Sequence, residues 1–288
     1  MDIRFLAHLL NGLLMIAMPV GLAIYLTRKF HLGWDLWWVG AAVFIFSQVG
    51  HIPFNYLMTI LLNRTRLVNL PATGRLFFNA VFLGLSAGLW EESFRYGMYR
   101  WWVMDARSWR KGLLVGAGHG GAEAIALGLS VLYSFIQMAA LRNANLTRLF
   151  PAPQLPQAVQ QVSAYWSATW YASLLGALER FFAIPAQIGL SILVLQAFTR
   201  KQAIWVWLAV FFHALTDASV VLASHYFGVF WTEALIGLFA IVSVGLIFAL
   251  HQPDTAPVSH TVLPVSSAPF NPQSVQETWE QIEDTRYQ

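Results

Sequence analysis

Residues 112–141 read GLLVGAGHGGAEAIALGLSVLYSFIQMAAL, a long apolar stretch that carries one imidazole, His119, and one carboxyl, Glu123. About 20 apolar residues are enough for a helix to cross the hydrocarbon core of a bilayer, so this stretch predicts a membrane span. A charged side chain near mid-bilayer costs at least ~2.5–3.5 kcal/mol on insertion scales. His119 and Glu123 are therefore candidate functional residues.

The remainder of the chain has the same apolar character. Hydrophobic residues make up 57% of the 288 residues and charged residues only 11%, whereas soluble domains carry roughly 25% charged residues. Pro53 and Pro185 lie in the second and fifth apolar stretches, and an eighth span follows if the chain divides at either of them. We predict an all-α polytopic transmembrane bundle with seven spans, near 5–27, 36–62, 76–99, 112–141, 166–198, 203–223 and 228–250.

Two segments are too polar to span. The connection 142–165 contains three prolines and predicts a surface loop with a short interfacial helix. The tail 251–288 is rich in Pro, Ser, Gln and Thr and predicts disorder, with a short helix at 278–284. The expected domain organisation is therefore an integral-membrane domain over 1–250 followed by a polar tail.

The basic residues indicate an orientation and a location. With seven spans, eight Lys and Arg residues lie on one side of the membrane and six on the other. The positive-inside rule then places the N-terminus outside and the tail in the cytoplasm. The short loops and the lack of a targeting segment favour a bacterial inner membrane, with lipids as the surroundings and an oligomeric state that the sequence does not give.

Composition also excludes some chemistry. The chain has no cysteine, so it forms no disulfide, thiolate metal ligand or cysteine nucleophile. No basic stripe of the kind that binds nucleic acid is present, so we expect no nucleic-acid partner.

Four predicted spans carry ionisable side chains far from their ends. Glu91 and Arg95, His119 and Glu123, and His213 and Asp217 are each four residues apart, so each pair shares one helical face. Three such faces on three helices indicate one interior site. The complete set is Glu91, Glu92, Arg95, His119, Glu123, Glu179, Arg180, His213 and Asp217.

The charges in this set do not balance. Five carboxyl groups face two guanidinium groups, and the surplus cannot stay bare in a low-dielectric interior. Some carboxyls must be protonated, or the two histidines charged, or a cation bound. Each of these states is chemically reactive, because such a carboxyl is a general acid or base and a bound divalent ion activates water.

Several neighbouring residues have other expected roles. Gly116, Gly118, Gly120 and Gly121 surround His119 and either let backbones approach closely or leave room for a substrate. His51 and Asn55, also four apart, predict a structural or pore-lining pair. Glu233, near a helix end, predicts an interfacial residue.

In chain order, the segments EESFR (91–95), GHGGAE (118–123), ER (179–180) and HALTD (213–217) resemble the signatures of the CAAX-protease and bacteriocin-processing superfamily of intramembrane proteases. They look most like its YhfC branch, which is described as glutamic-type. The spacing of four between Glu91 and Arg95 matches the PrsW branch, whereas CAAX enzymes have five. The resemblance covers roughly residues 75–225.

The resemblance implies hydrolysis of peptide bonds in or beside the membrane, with a membrane-associated peptide or protein as substrate. By that analogy Glu91 and His119 bind and activate water, and His213 and Asp217 stabilise the oxyanion or help to hold the water. Supporting roles fall to Glu92, Arg95, Glu123, Glu179 and Arg180. Glu179 and Arg180 are adjacent and diverge by about 100° on a helix, so we expect each to pair with another helix.

The sequence also allows other functions. The same residues could form a cation- or proton-coupled transporter, or a non-catalytic membrane scaffold that keeps a protease-like site. His119, Glu123, His213 and Asp217 are candidate ligands for Zn²⁺, but the glutamic-type resemblance leads us to expect no obligatory metal.

Overall fold

A computed structural model describes residues 2–65 and 69–251 of the chain. In this part of the chain, seven helical segments are long and apolar enough to cross a membrane, which confirms the predicted all-α transmembrane fold. Their helices are α1 Ile3–Phe30, α2 Asp35–Leu62, α3 Ala72–Gly97, α4 Trp109–Leu141, α7 Leu175–Thr199, α8 Ile204–Tyr226 and α9 Val229–Ala249. The predicted tail lies outside the described residues, apart from His251.

Two shorter helices lie in the polar connection after α4. These are α5, Leu146–Leu149, and α6, Leu155–Ser167, so the predicted short helix in this connection is present. Val162 and Trp166 of α6 pack against Phe135 of α4, next to Phe5 of α1. The prediction that the fifth span begins at 166 was wrong, because residues 166–167 complete α6 and a 3-10 turn over Ala172–Leu174 precedes α7.

The prolines do not divide any span. Pro19, Pro53 and Pro185 each lie inside a continuous helix, in α1, α2 and α7 respectively. Membrane helices tolerate proline where neighbouring helices and local adjustments satisfy the freed carbonyl. No eighth span is found among the described residues.

The bundle is assembled by close approaches between backbones. A Cβ atom added to Gly118 in α4 would lie 2.0 Å from the carbonyl oxygen of Trp37 in α2, and one added to Gly84 in α3 would lie 2.5 Å from that of Ala214 in α8. Small residues allow membrane helices to pack at such short distances. The space beside His119 is therefore filled; next to Gly120, for example, it is occupied by the side chain of Gln187. The expectation that these glycines leave room for a substrate was wrong.

The order of the spans defines two faces. The α3–α4 connection at 103–108 and the α7–α8 connection at 200–203 lie at one face, which we call the 103–108 face. The α4–α7 connection at 142–171 and the α8–α9 turn lie at the other, the 142–171 face. In that turn Gly228 adopts φ 79°, a conformation that favours glycine.

Candidate active site

Glu91 lies at the centre of a polar cluster built from five helices, α2, α3, α4, α7 and α8. Its Oε2 accepts hydrogen bonds from His119 Nε2 of α4 at 3.0 Å and from Gln187 Nε2 of α7 at 3.4 Å. Its Oε1 accepts one from Gln48 Nε2 of α2 at 2.9 Å. Side chains from three other helices therefore satisfy both oxygens of a buried carboxyl.

Glu92, next in the chain, holds a second histidine in position. Arg95 Nη1 lies 2.6 and 2.5 Å from the two carboxylate oxygens of Glu92, and both side chains are fully buried. The paired carboxylate can only accept, so His213 Nδ1, 2.8 Å from Glu92 Oε1, carries a proton. His213 Nε2 then points to the other side, 4.0 Å from Glu91 Oε2 and 3.6 Å from Asp217 Oδ2.

The ion pair within α3 was not predicted. Glu91 and Arg95 were expected to share one helical face, and Arg95 forms its ion pair with Glu92, three residues before it. Both spacings bring side chains together on a helix, so sequence spacing alone does not choose between them. His213 and Asp217 do share a face, as expected.

Gln187 connects the parts of the cluster and was not predicted. Its Oε1 accepts a hydrogen bond from Arg95 Nη2 at 2.7 Å, and its Nε2 donates to Glu123 Oε2 at 3.1 Å as well as to Glu91. A Gln in the middle of an apolar span is itself a signal, because a buried amide costs free energy unless it is hydrogen bonded. The same signal marks Gln48.

Arg180 makes a second ion-pair group in this cluster. Its Nη1 lies 2.6 Å from Glu123 Oε1 of α4, and its Nη2 pairs with Glu179. The partnership with Glu123 is the expected contact to another helix. The expectation that Glu179 pairs with a different helix was wrong, because the long Arg180 side chain reaches back to its neighbour.

A cavity of about 140 Å³ opens beside Glu91 between α3, α4, α7, α8 and α9. His119, Glu92 and Arg95 are not part of its wall and lie behind the residues that are. The polar residues of the wall are Glu91, Glu123, Glu179, Arg180, Gln187, His213, Thr216 and Asp217.

Two further predictions concern residues outside the cavity. His51 Nε2 is 3.0 Å from Ser86 Oγ and 2.8 Å from Asn55 Nδ2, which joins α2 to α3 and fits the structural role expected for this pair. Glu233 lies in the second turn of α9, near the helix end as expected, and its side chain is buried within the protein. Packing of α9 against α7 covers its side chain.

Comparison with known proteins identifies the family. The sequence profile of the YhfC intramembrane metalloprotease family matches residues 14–240. The chain belongs to this family. It is 30% identical over 216 residues to the membrane protein YhfC of Bacillus subtilis, a match that covers 74% of this chain and 82% of that protein. No solved structure matches it.

The family description implies a metal, and the site can be tested for one. Ligand atoms of a tetrahedral zinc site lie about 3.3 Å apart, close to the separations of 3.0, 3.6 and 4.0 Å among Glu91, His119, His213 and Asp217. These donor types suit zinc. As they stand, however, no three His, Asp or Glu side chains among the described residues are arranged to hold a metal ion.

Proposed function

We propose that this YhfC-family protein is an intramembrane endopeptidase that hydrolyses membrane-associated peptide or protein substrates with water activated by Glu91. The family description supports a protease-like membrane function in general. The observation that carries the finer proposal is the 4.0 Å separation between Glu91 Oε2 and His213 Nε2 at the cavity wall. That distance is too long for a hydrogen bond and short enough for one water to bridge.

In this proposal the water lies between Glu91 and His213. Glu91 takes a proton from the water, whose oxygen attacks the carbonyl carbon of the scissile bond. Protonated His213 donates a hydrogen bond to the oxyanion that forms. Glu91 then passes its proton to the leaving nitrogen as the C–N bond breaks, so the products are a carboxylic acid and an amine.

The residues behind the cavity wall position these groups. His119 donates a hydrogen bond to Glu91 and balances the change in charge when that carboxyl takes up the proton. His119 does not contact the water itself. Glu92, paired with Arg95, accepts a hydrogen bond from His213 Nδ1 and so holds the ring with Nε2 toward the water. Asp217, whose Oδ2 lies 3.6 Å from His213 Nε2, helps to orient the imidazole toward the water.

A metal would be held by side chains of this same cluster after they move. His119, His213, Glu91 and Asp217 are the donors at hand, and zinc would supply a polarised water. The steps proposed above involve only side chains and water. The cleavage experiment with a chelator, described next, decides whether the protein requires a metal.

The test is cleavage of fluorogenic membrane peptides by purified protein. We expect Glu91→Gln to lower the rate by at least about a hundredfold, because general-base catalysis contributes 10²–10⁴. Ser130→Ala, on an exposed part of α4, is the matched control and should cleave as wild type. Wild-type activity that survives a chelator supports the glutamic mechanism, whereas loss restored by Zn²⁺ supports a metalloprotease.

A cation transporter is the second candidate, because the cavity wall carries four carboxyl groups against one guanidinium. It predicts uptake of protons or divalent ions into proteoliposomes that Glu91→Gln abolishes, without peptide cleavage. Cleavage by wild type and not by Glu91→Gln would exclude this candidate as the main activity.

A further inference from the structure

We propose that the cavity beside Glu91 is an acidic, water-filled inlet that opens only at the 142–171 face. The proposal rests on the proposed function in one respect, since hydrolysis requires a supply of water at mid-membrane. It adds the side from which water and the polar end of a substrate reach the site. Three observations carry it.

The first observation is a gradient of exposure along the cavity wall. The Glu91 side chain is 8% exposed, that of Glu123 is 23%, that of Asp217 is 42% and that of Glu179 is 40%. Carboxyl groups at this depth cannot face lipid without a large cost in free energy. Water in the cavity is therefore the solvent for their exposed surfaces.

The second observation is the direction of this gradient. Glu179 is the fifth residue of α7, and Val220 lies six residues before the end of α8. Both helix ends lie at the 142–171 face, and six residues of helix span about 9 Å. The wall of the cavity, which includes Val220 and Glu179, thus extends from Glu91 to within about two helical turns of that face.

The third observation is a closed layer on the opposite side of the site. Arg95, Tyr99, Ile192 and Leu195 are all fully buried between Glu91 and the 103–108 face. A Cβ added to Gly112 would already lie 2.9 Å from Leu195 and 3.0 Å from Ile192, so these side chains leave no channel there. Water reaching Glu91 must come from the other face.

The inlet is also acidic. Among the described residues, its wall carries four carboxyl groups, those of Glu91, Glu123, Glu179 and Asp217, against the guanidinium of Arg180 and the protonated imidazole of His213. A cleft with an excess of one sign of charge raises the local concentration of counter-ions and their rates of encounter, by 10–10³ where all its charges share that sign. The inlet should therefore admit ammonium and other cationic groups, such as a basic side chain or the amino end of a peptide, more readily than anionic ones.

The natural absence of cysteine makes the inlet directly testable. Ala183→Cys and Val220→Cys place single cysteines in the inlet wall. Ala209→Cys places one at a fully buried position of α8 between His213 and the 103–108 face, at the level of the closed layer. Ile241→Cys lies on the exposed apolar surface, and Ala152→Cys lies in the exposed loop. Ala209 and Val220 lie on the same helix, on opposite sides of His213, and so form a matched pair. Each variant is first checked for folding by size-exclusion chromatography.

Membrane-impermeant thiosulfonate reagents are then added to right-side-out and inverted vesicles. We expect the two inlet cysteines to react only in the vesicles in which the loop cysteine reacts, and the closed-layer and lipid-facing cysteines to stay unlabelled. The ratio of cationic to anionic reagent rates should be about tenfold higher in the inlet than at the loop cysteine. Glu179→Gln should reduce that ratio.

Unlabelled inlet cysteines in folded protein would overturn the proposal, as would labelling from the 103–108 face or an unchanged charge ratio. Labelling does not depend on peptide cleavage. An active protease with an unlabelled cavity rejects the inlet alone, and a labelled cavity without peptidase activity rejects the proposed function alone.

Discussion

Gln187 Oε1 accepts a hydrogen bond from Arg95 Nη2 at 2.7 Å, and this contact fixes the orientation of the amide. A guanidinium can only donate, so the carbonyl oxygen of Gln187 must face Arg95 and its NH₂ group must face Glu91 and Glu123. One uncharged side chain thereby sets the direction of hydrogen bonding on both carboxyls.

Substitution of Gln187 should separate positioning from folding. Gln187→Glu keeps an acceptor for Arg95 but removes the donor to Glu91 and adds a negative charge beside it. We expect kcat to fall at least about tenfold with KM nearly unchanged, and the acidic limb of the rate–pH profile to move to higher pH. Gln187→Met, which fills the same space and removes the donor without adding a charge, should lower kcat and move that limb less. A profile that does not move in the glutamate variant would contradict this role.

The crossing of α2 and α4 gives a second prediction. Gly118→Ala places a methyl group 2.0 Å from the Trp37 carbonyl oxygen and should destabilise the bundle by more than about 2 kcal/mol, since overpacking costs 1–3 kcal/mol even without a backbone clash. Gly21→Ala is the control, because nothing lies within 4 Å of the added atom. Thermal unfolding in detergent should show a lower Tm for the first variant only, and equal Tm values would refute the close approach.

Arg180 should stabilise the fold through Glu123 more than through Glu179. Arg180→Gln leaves the largely buried Glu123 unpaired, and breaking a buried ion pair costs about 3–5 kcal/mol, less where water reaches it. Glu179→Gln should cost little, because that side chain is 40% exposed. In a double-mutant cycle, Glu123→Gln combined with Arg180→Gln should be more stable than Arg180→Gln alone; additive effects would argue against the pair.

The contact between the chain's first residues and α4 gives a pH-dependent prediction. The N–H of Arg4 and the guanidinium of Arg142, 2.6 Å away, lower the pKa of the Asp2 carboxyl. Since the folded state lowers this pKa, the stabilisation is present above the unfolded pKa of about 3.9 and is lost as pH falls through the lower folded value. Wild type should have a slightly higher Tm than Asp2→Asn at neutral pH, and the difference should disappear at strongly acidic pH. A difference that persists there would point to another cause.

The sequence predicted the spans and the helices that carry the site because length, hydropathy and the cost of buried charge act locally. It did not predict which carboxyl Arg95 binds, because spacings of three and four both bring side chains together. The burial of Glu233 and the position of the cavity were not predicted either. Both depend on how α7 and α9 pack, and neither helix alone contains that information.

The pair formed by Glu92 and Arg95 has a consequence for biogenesis. Both residues lie on α3, one turn apart, while their other partners Gln187 and His213 come from helices synthesised later. During translation α3 enters the bilayer before those partners exist. A carboxylate and a guanidinium that neutralise each other on the same segment make its insertion less costly than two isolated charges would. The Glu92–Arg95 part of the site can therefore enter the membrane already neutralised, before α7 and α8 are synthesised.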